Sequence, residues 1–259
     1  MPDPLEMPNG HQQFPSTHWS ELLQLNDPRH PLYAETLNAL IASYWKPAYH
    51  YVRALRTVQV SEAMDLTQQF FTMLLARGDF ERLTPERGSF RGFLKTALRN
   101  FLVSHDRSVA ARRPKGEAKL FHFDPSDVEW MKAASPDAED DPERAFDKAW
   151  AQVVLLEAVE ELERGLVARD KAVYFQIFRA YCISPAGMDW GSVIIGDDGP
   201  PDAPTYGELA AKYGVNEDAV RNYLRFARKE LRDILKSRVA AYLDPGADIE
   251  RELRFILSP

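Results

Sequence analysis

The sequence contains almost no cysteine and no long hydrophobic run. Its single cysteine, Cys182, excludes an internal disulfide framework and a cysteine-rich zinc site. No apolar stretch approaches the roughly 18 residues that a bilayer-spanning helix needs. The opening stretch, MPDPLEMPNGHQQFPSTHW, carries two early acids and no apolar core, so we do not expect a signal peptide. These absences predict a cytoplasmic protein that does not enter a membrane.

Groups that would support catalysis or cofactor binding are also scarce. The histidines show no metal-ligand spacing, and His105-Asp106 is interpreted as a pair on a helix surface. The segments RGDFERL and IIGDDGPPD fit neither a phosphate-binding loop nor a calcium-binding loop. No basic neighbour or partner that would activate Cys182 is evident, so we predict that it lies in the core. We predict no enzyme, no bound metal and no cofactor.

The formal net charge of -7 is unevenly distributed along the chain. Residues 44–115 contain 13 Lys and Arg against 6 Asp and Glu, and residues 205–242 contain 8 against 5. Residues 124–147, which lie between these blocks, contain only 2 Lys and Arg against 9 Asp and Glu. An anionic partner could therefore bind either basic block without meeting the acidic segment.

Apolar residues recur at steps of three and four, which predicts helices. One such helix covers 31–55, a second follows Ser61, and a third begins at Phe90. Their predicted buried residues are Leu37, Leu40, Ile41, Tyr44, Trp45, Ala48 and Val52, then Met64, Phe70, Phe71, Leu74 and Leu75, then Phe90, Phe93, Leu94, Ala97, Leu98, Phe101 and Leu102. No segment with sheet-like alternation is assigned, so the fold class is predicted to be all-α.

Composition divides this all-α chain into two predicted helical domains. Residues 1–30 form an N-terminal extension, and residues 31–122 form the first domain. Residues 123–145 are acidic and contain proline, which indicates a linker. The second domain, 146–259, begins with a helix near Phe146 and ends in a C-terminal tail; its insertion at 183–204 is assigned a short hairpin at SVII.

Residues 205–232 have the pattern of a helix-turn-helix. Thr205 followed by Glu208 is a capping-box signature, Gly214 ends the first helix, and Asn216 is a good N-cap for the second. The second helix has an apolar stripe formed by Val220, Leu224, Ala227 and Leu231. Basic residues that fall off this stripe would face the major groove of DNA. The same spacing also fits a helical hairpin with a solvated basic face.

Two segments carry a family resemblance. ELAAKYGVNEDAVRNYLRFARKELRDIL resembles region 4 of the extracytoplasmic-function sigma factors of bacterial RNA polymerase, whose helix-turn-helix binds the upstream promoter element. DLTQQFFTMLL, followed by ERGSFRGFLKTALRNFLVSHDR, is similar to sigma region 2. The resemblance covers 45–113 and 146–257 in the family's order. FPSTHWSELL and IERELRFIL are similar to a long-tailed, planctomycete-like subgroup.

The resemblance implies that the chain directs promoter recognition and melting, and it assigns three sets of residues. The set for the core polymerase clamp is Asp65, Gln68 and Gln69. The set for the downstream promoter element and the melted strand is Arg87, Ser89, Phe90, Arg91, Phe93, Lys95 and Asn100. The set for the upstream element is Glu217, Asp218, Arg221, Asn222, Arg225, Arg228 and Lys229. The acid would then lie in the linker and on faces turned away from DNA.

Some alternatives stay open. Phe93 stands where the family usually has tryptophan, so it is also interpreted as a core residue, and Gln69 follows Gln68 where a glutamate is common. Control is expected from a protein inhibitor of anti-sigma type or from phosphorylation at Ser61 or Thr67. A DNA-binding regulator that does not engage polymerase, and a helical adaptor for acidic proteins, remain competing hypotheses.

Overall fold

The computed structural model describes residues 23–56, 58–77, 90–111, 141–183, 203–242 and 248–257. Within these ranges there are eight α-helices, one short 3-10 helix at Leu23–Asn26 and no β-strand, which confirms the all-α fold class. Several predictions lie outside the described residues. They concern Arg87, Ser89, the extension at 1–22, most of the linker and the hairpin at SVII.

The chain divides into two units, Met1–Trp150 and Ala151–Pro259. The described residues of the first unit contain three complete helices and the beginning of a fourth. These are α1 (Tyr33–Leu55), α2 (Val60–Arg77), α3 (Phe90–Ala111) and α4 (Pro142–Val167), and the division between the units falls within α4.

The core of the first unit forms where α2 and α3 pack against α1. All seven residues predicted to be buried in α1 are buried. The ring of Tyr44 lies 5.1 Å from that of Phe90 and 6.4 Å from that of Phe146, measured between centroids. Phe146 therefore joins an aromatic cluster with residues of α1 and α3.

The helix α4 begins one turn earlier than predicted, at Pro142. Proline suits the first position of a helix because its missing N–H would have no intrahelical acceptor there. Glu143 adds an acid to the first turn, where it interacts favourably with the helix dipole. The end of the predicted linker, 141–145, is thus the start of a helix.

The second unit is organised around one long helix. The remaining helices are α5 (Ala172–Cys182), α6 (Tyr206–Tyr213), α7 (Glu217–Tyr242) and α8 (Ile249–Leu257), and α5, α6 and α8 all pack against α7. The predicted stripe of α7 is buried and continues through Leu235 and Val239. Arg238 is also buried, and it donates hydrogen bonds of 2.8 Å to Glu157 and 2.8 and 3.0 Å to Glu161. No helix in the described ranges is long and apolar enough to cross a membrane.

Candidate nucleic-acid interface

The turn between α6 and α7 has the caps that the sequence predicts. The Glu208 amide donates to Thr205 Oγ1 at 3.2 Å, and the Thr205 amide donates to Glu208 Oε2 at 2.7 Å, which completes a capping box. Gly214 has φ 68°, a left-handed conformation that glycine adopts without a Cβ clash. Asn216 Oδ1 accepts from the Ala219 amide at 2.7 Å and caps α7. These caps fix where α7 begins.

The first turns of α7 present polar and charged side chains to solvent. Glu217, Asp218, Arg221, Asn222, Arg225 and Lys229 are all exposed. Of these, Asn222, Arg225 and Lys229 have no hydrogen bond or ion pair to other residues that the structure describes. Within the described part of the chain, these three side chains are therefore the candidates for contact with an external partner. They combine an amide that can pair with adenine and a guanidinium that can pair with guanine.

Arg221 is exposed but already held in place. Its guanidinium donates to Asp218 Oδ1 at 2.9 Å, and it lies 5.7 Å from the centroid of the Tyr206 ring. Two neighbours, one on the same helix and one on α6, therefore orient this side chain. Tyr206 was not among the residues assigned from the sequence, because its proximity to Arg221 arises only when the turn brings α6 and α7 together.

Arg228 does not lie where the sequence analysis predicts. It is only 7% exposed, its guanidinium lies 4.0 Å from Cys182 Sγ, and it is 5.7 Å from the centroid of the Tyr181 ring. It follows Leu224 by one turn, so it belongs to the edge of the buried stripe rather than to the exposed face. This packing contradicts the prediction that Arg228 falls off the buried stripe, and its assignment to the upstream element stays a prediction.

Cys182 is buried, as predicted, but it does have a basic neighbour. Burial raises the pKa of its thiol to about 11, although the positive charge of Arg228 acts in the opposite direction. This neighbour is not evident from the sequence, because it lies 46 positions away along the chain. Its burial confirms the prediction that Cys182 lies in the core, and the raised pKa favours the protonated thiol near neutral pH.

In the first unit, the candidate surface is the exposed side of α3. Asn100 is exposed, while Arg91, Phe93 and Lys95 are partly buried. Phe90 is only 5% exposed, and it packs edge-on against Tyr44. Its ring is part of the aromatic core, which confirms its place on the predicted buried face of α3, and its assignment to the melted strand stays a prediction.

A groove of about 220 Å³ opens beside Phe93 and Asn100. Its lining comes from α2 and α3, and the residues are Met73, Phe93, Thr96, Ala97, Asn100, Phe101 and Ser104. The groove thus combines aromatic rings with an amide and two hydroxyl groups. This combination suits a flat, polar ring such as a nucleobase, which needs a stacking face and hydrogen-bonding groups at its edge.

Three contacts connect the basic side of α3 to the first turns of α4. Arg99 donates to Glu143 at 2.7 Å, and Lys95 donates to Asp147 at 2.9 Å. The guanidinium of Arg91 lies 3.8 Å from the centroid of the Trp150 ring. A hydrogen bond with Tyr51 and then the charge of Glu143 raise the pKa of Arg99. The last acids of the acidic segment, Glu143 and Asp147, therefore contact the basic side of α3.

The predicted polymerase-binding residues occupy one side of α2. Asp65 and Gln69 are exposed one turn apart, and Gln68 beside them is partly buried. The two predicted phosphorylation sites differ. Ser61 is exposed in the first turn, whereas Thr67 is fully buried and donates its hydroxyl hydrogen bond to the Ala63 carbonyl at 2.8 Å. Thr67 is therefore not accessible to a kinase in this fold.

Compared with models of protein families, with curated proteins and with solved structures, the chain matches none. The sigma-factor resemblance therefore stays a prediction that rests on the sequence motifs. Within the part of the chain that the structure describes, no three His, Cys, Asp or Glu residues converge into a metal-binding group.

Proposed function

We propose that this chain is a sigma factor of the extracytoplasmic-function type, which binds core RNA polymerase in the cytoplasm and directs it to promoters. The observation that carries the proposal is the capped helix-turn-helix at 205–242. Its second helix exposes Asn222 and Arg225 in its first three turns, and Lys229 near its middle. The N-terminal end of a recognition helix is the part that contacts base edges in the major groove.

Two further features support the proposal. The groove beside Phe93 and Asn100 has the chemistry that a separated DNA strand requires, namely aromatic faces and hydrogen-bonding groups. Asp65 and Gln69 lie on one exposed side of α2, where a polymerase subunit can reach them. We further propose that a protein inhibitor of anti-sigma type controls the free chain. Phosphorylation at Ser61 is the second route of control.

Reconstituted transcription tests the proposal. The purified chain is added to core polymerase from its native host, with fragmented host DNA as template, and the transcript starts are sequenced. We expect discrete new start sites that share an upstream sequence. Asp65→Ala combined with Gln69→Ala should abolish them, whereas Glu62→Ala, an exposed acid on the same helix, should not.

The outcomes separate the competing hypotheses. Sequence-specific DNA binding without any new start sites would favour a helix-turn-helix regulator that does not engage polymerase. Absence of both specific binding and new start sites would leave the helical adaptor as the remaining interpretation.

A further inference from the structure

We infer that the first turns of α4 are an internal competitor for the nucleic-acid-binding face of α3. This inference rests on the proposed function, because it takes the basic side of α3 as a surface for the melted DNA strand. In the structure that surface is not open. Three of its cationic side chains, Arg91, Lys95 and Arg99, contact residues of α4.

The contacts have a regular register. Along α4, the contacting residues are Glu143, Asp147 and Trp150 in order. Their respective partners on α3 are Arg99, Lys95 and Arg91, whose numbers decrease. The two segments therefore run antiparallel. Successive partners are three or four residues apart on both helices, which is the spacing of residues on one helical face. The match continues over two turns, so it is a property of the two faces rather than of one chance ion pair.

The chemistry of the α4 face resembles that of a single nucleic-acid strand. It offers two carboxylates about 6 Å apart along the helix axis, as one turn requires, and then a flat indole ring. A DNA strand would offer phosphates and a base to the same cations. Because guanidinium groups stack on indole and on nucleobases alike, Trp150 can occupy the position of a base above Arg91.

The contacts are of a strength that an external strand can displace. The side chains of Lys95 and Asp147 are 19% and 22% exposed, and those of Arg99 and Glu143 are 61% and 45% exposed. The exposed pair of Arg99 and Glu143 contributes little, and the pair of Lys95 and Asp147, which is more shielded from water, is the stronger of the two. The α4 segment thus competes with weak or non-specific DNA, while a strand presented by polymerase at a promoter can replace it.

Binding of a labelled single strand to the full-length chain tests this inference. The probe is a fluorescein-labelled oligonucleotide of mixed sequence, and the variant is Asp147→Asn, which keeps the shape of the side chain but removes its charge. We expect the variant to bind the probe about two- to fivefold more tightly than the wild type. The matched control is Glu160→Gln, an exposed acid on α4 whose loss changes the net charge equally.

Salt dependence gives a second readout, and another variant guards against loss of folding. Releasing Lys95 adds one cation to the binding surface, so the slope of log K against log salt should steepen by about 0.7 for the variant. Glu143→Gln removes the more exposed ion pair, that with Arg99, and it should also bind the probe more tightly than the wild type. This variant tests the inference if Asp147→Asn does not fold. Lys95→Gln should cancel the gain from Asp147→Asn.

The binding and transcription experiments together distinguish failure of the inference from failure of the proposed function. If the wild type directs transcription but Asp147→Asn and Glu143→Gln bind the probe no better than Glu160→Gln, the internal competitor is overturned and the proposed function stands. If no variant binds the probe and no start sites appear with polymerase, both are overturned. The inference is supported if Asp147→Asn and Glu143→Gln bind the probe more tightly and with a steeper salt slope, and Glu160→Gln does not.

Discussion

The sharpest test of the recognition helix compares two arginines that lie three residues apart on α7. Arg225 is exposed, with no hydrogen bond or ion pair to other described residues, whereas Arg228 is buried beside Cys182 and Tyr181. Replacing either with alanine removes the same side chain and the same charge. A difference between the two variants therefore reports the position of the side chain and not its chemical type.

The two substitutions should change different quantities, the binding free energy for Arg225→Ala and the free energy of unfolding for Arg228→Ala. Arg225→Ala should lose about 1–3 kcal/mol of binding free energy at the matched site, which corresponds to an increase in Kd of about 5- to 150-fold. The free energy of unfolding should not change, because an exposed side chain without partners contributes little to it. Arg228→Ala should instead lower the free energy of unfolding by about 2 kcal/mol, because it leaves a cavity against α5.

Two measurements distinguish these effects. A duplex selected in vitro from a random pool supplies the matched site, and fluorescence anisotropy gives the Kd for each variant. Urea unfolding, followed by circular dichroism, gives the stability. If Arg228→Ala loses sequence preference while Arg225→Ala loses none, then the recognition face of α7 has been placed on the wrong side of the helix.

Three further predictions concern stability, each measured by urea unfolding. Burial and the charge of Arg53 lower the pKa of His50 from 6.5 to about 4, so the folded state favours the neutral ring. The contribution of this shift to the free energy of unfolding is complete above pH 6.5, is lost as the pH falls toward 4, and amounts to at most about 3 kcal/mol. His50→Gln should therefore flatten the dependence of the free energy of unfolding on pH between 6.5 and 4. An unchanged dependence would contradict the lowered pKa. Gly214→Ala should cost about 1–2 kcal/mol, because its φ of 68° strains an L residue although no atom lies within 4 Å of the added Cβ; Gly207→Ala should cost less, because φ is not positive there and the added Cβ meets only the exposed Glu217 side chain, at 3.3 Å, and equal effects would refute a backbone origin. Arg238→Met should lower the free energy of unfolding by about 2 kcal/mol, because it removes the hydrogen bonds to Glu157 and Glu161. An unchanged free energy of unfolding would show that the packing of the side chain, and not these hydrogen bonds, stabilises α7 against α4.

Features that depend on neighbours in sequence were predictable. The capping box at Thr205, the turn at Gly214 and the cap at Asn216 involve residues at most three or four positions apart, so the sequence pattern contains them completely. The buried stripe of α1 was predictable for the same reason, since a helix places residues at three- and four-residue steps on one side.

Features that depend on tertiary contacts were not predictable in this way. The burial of Arg228 depends on how α7 rotates against α5, and a residue at the edge of a stripe changes from exposed to buried with a small rotation. The contact of α4 with α3 joins positions 44 and 52 residues apart in the sequence. The one- and two-turn spacing of Glu143, Asp147 and Trp150 was a signal for it, but net charge by segment conceals such spacing.

The contacts of the Arg221 side chain affect the conformational entropy that it loses on binding. A long side chain that is immobilised on binding costs about 0.5–1.5 kcal/mol of free energy. The contacts with Asp218 and Tyr206 restrict Arg221, so part of this cost arises when the protein folds rather than when it binds a partner, although the restriction is partial because the Arg221 and Asp218 side chains are 51% and 84% exposed. Arg225 must be ordered at the moment of binding. Substitutions at Asp218 or Tyr206 should therefore change affinity through the rotamer freedom of Arg221, even where neither residue touches a base.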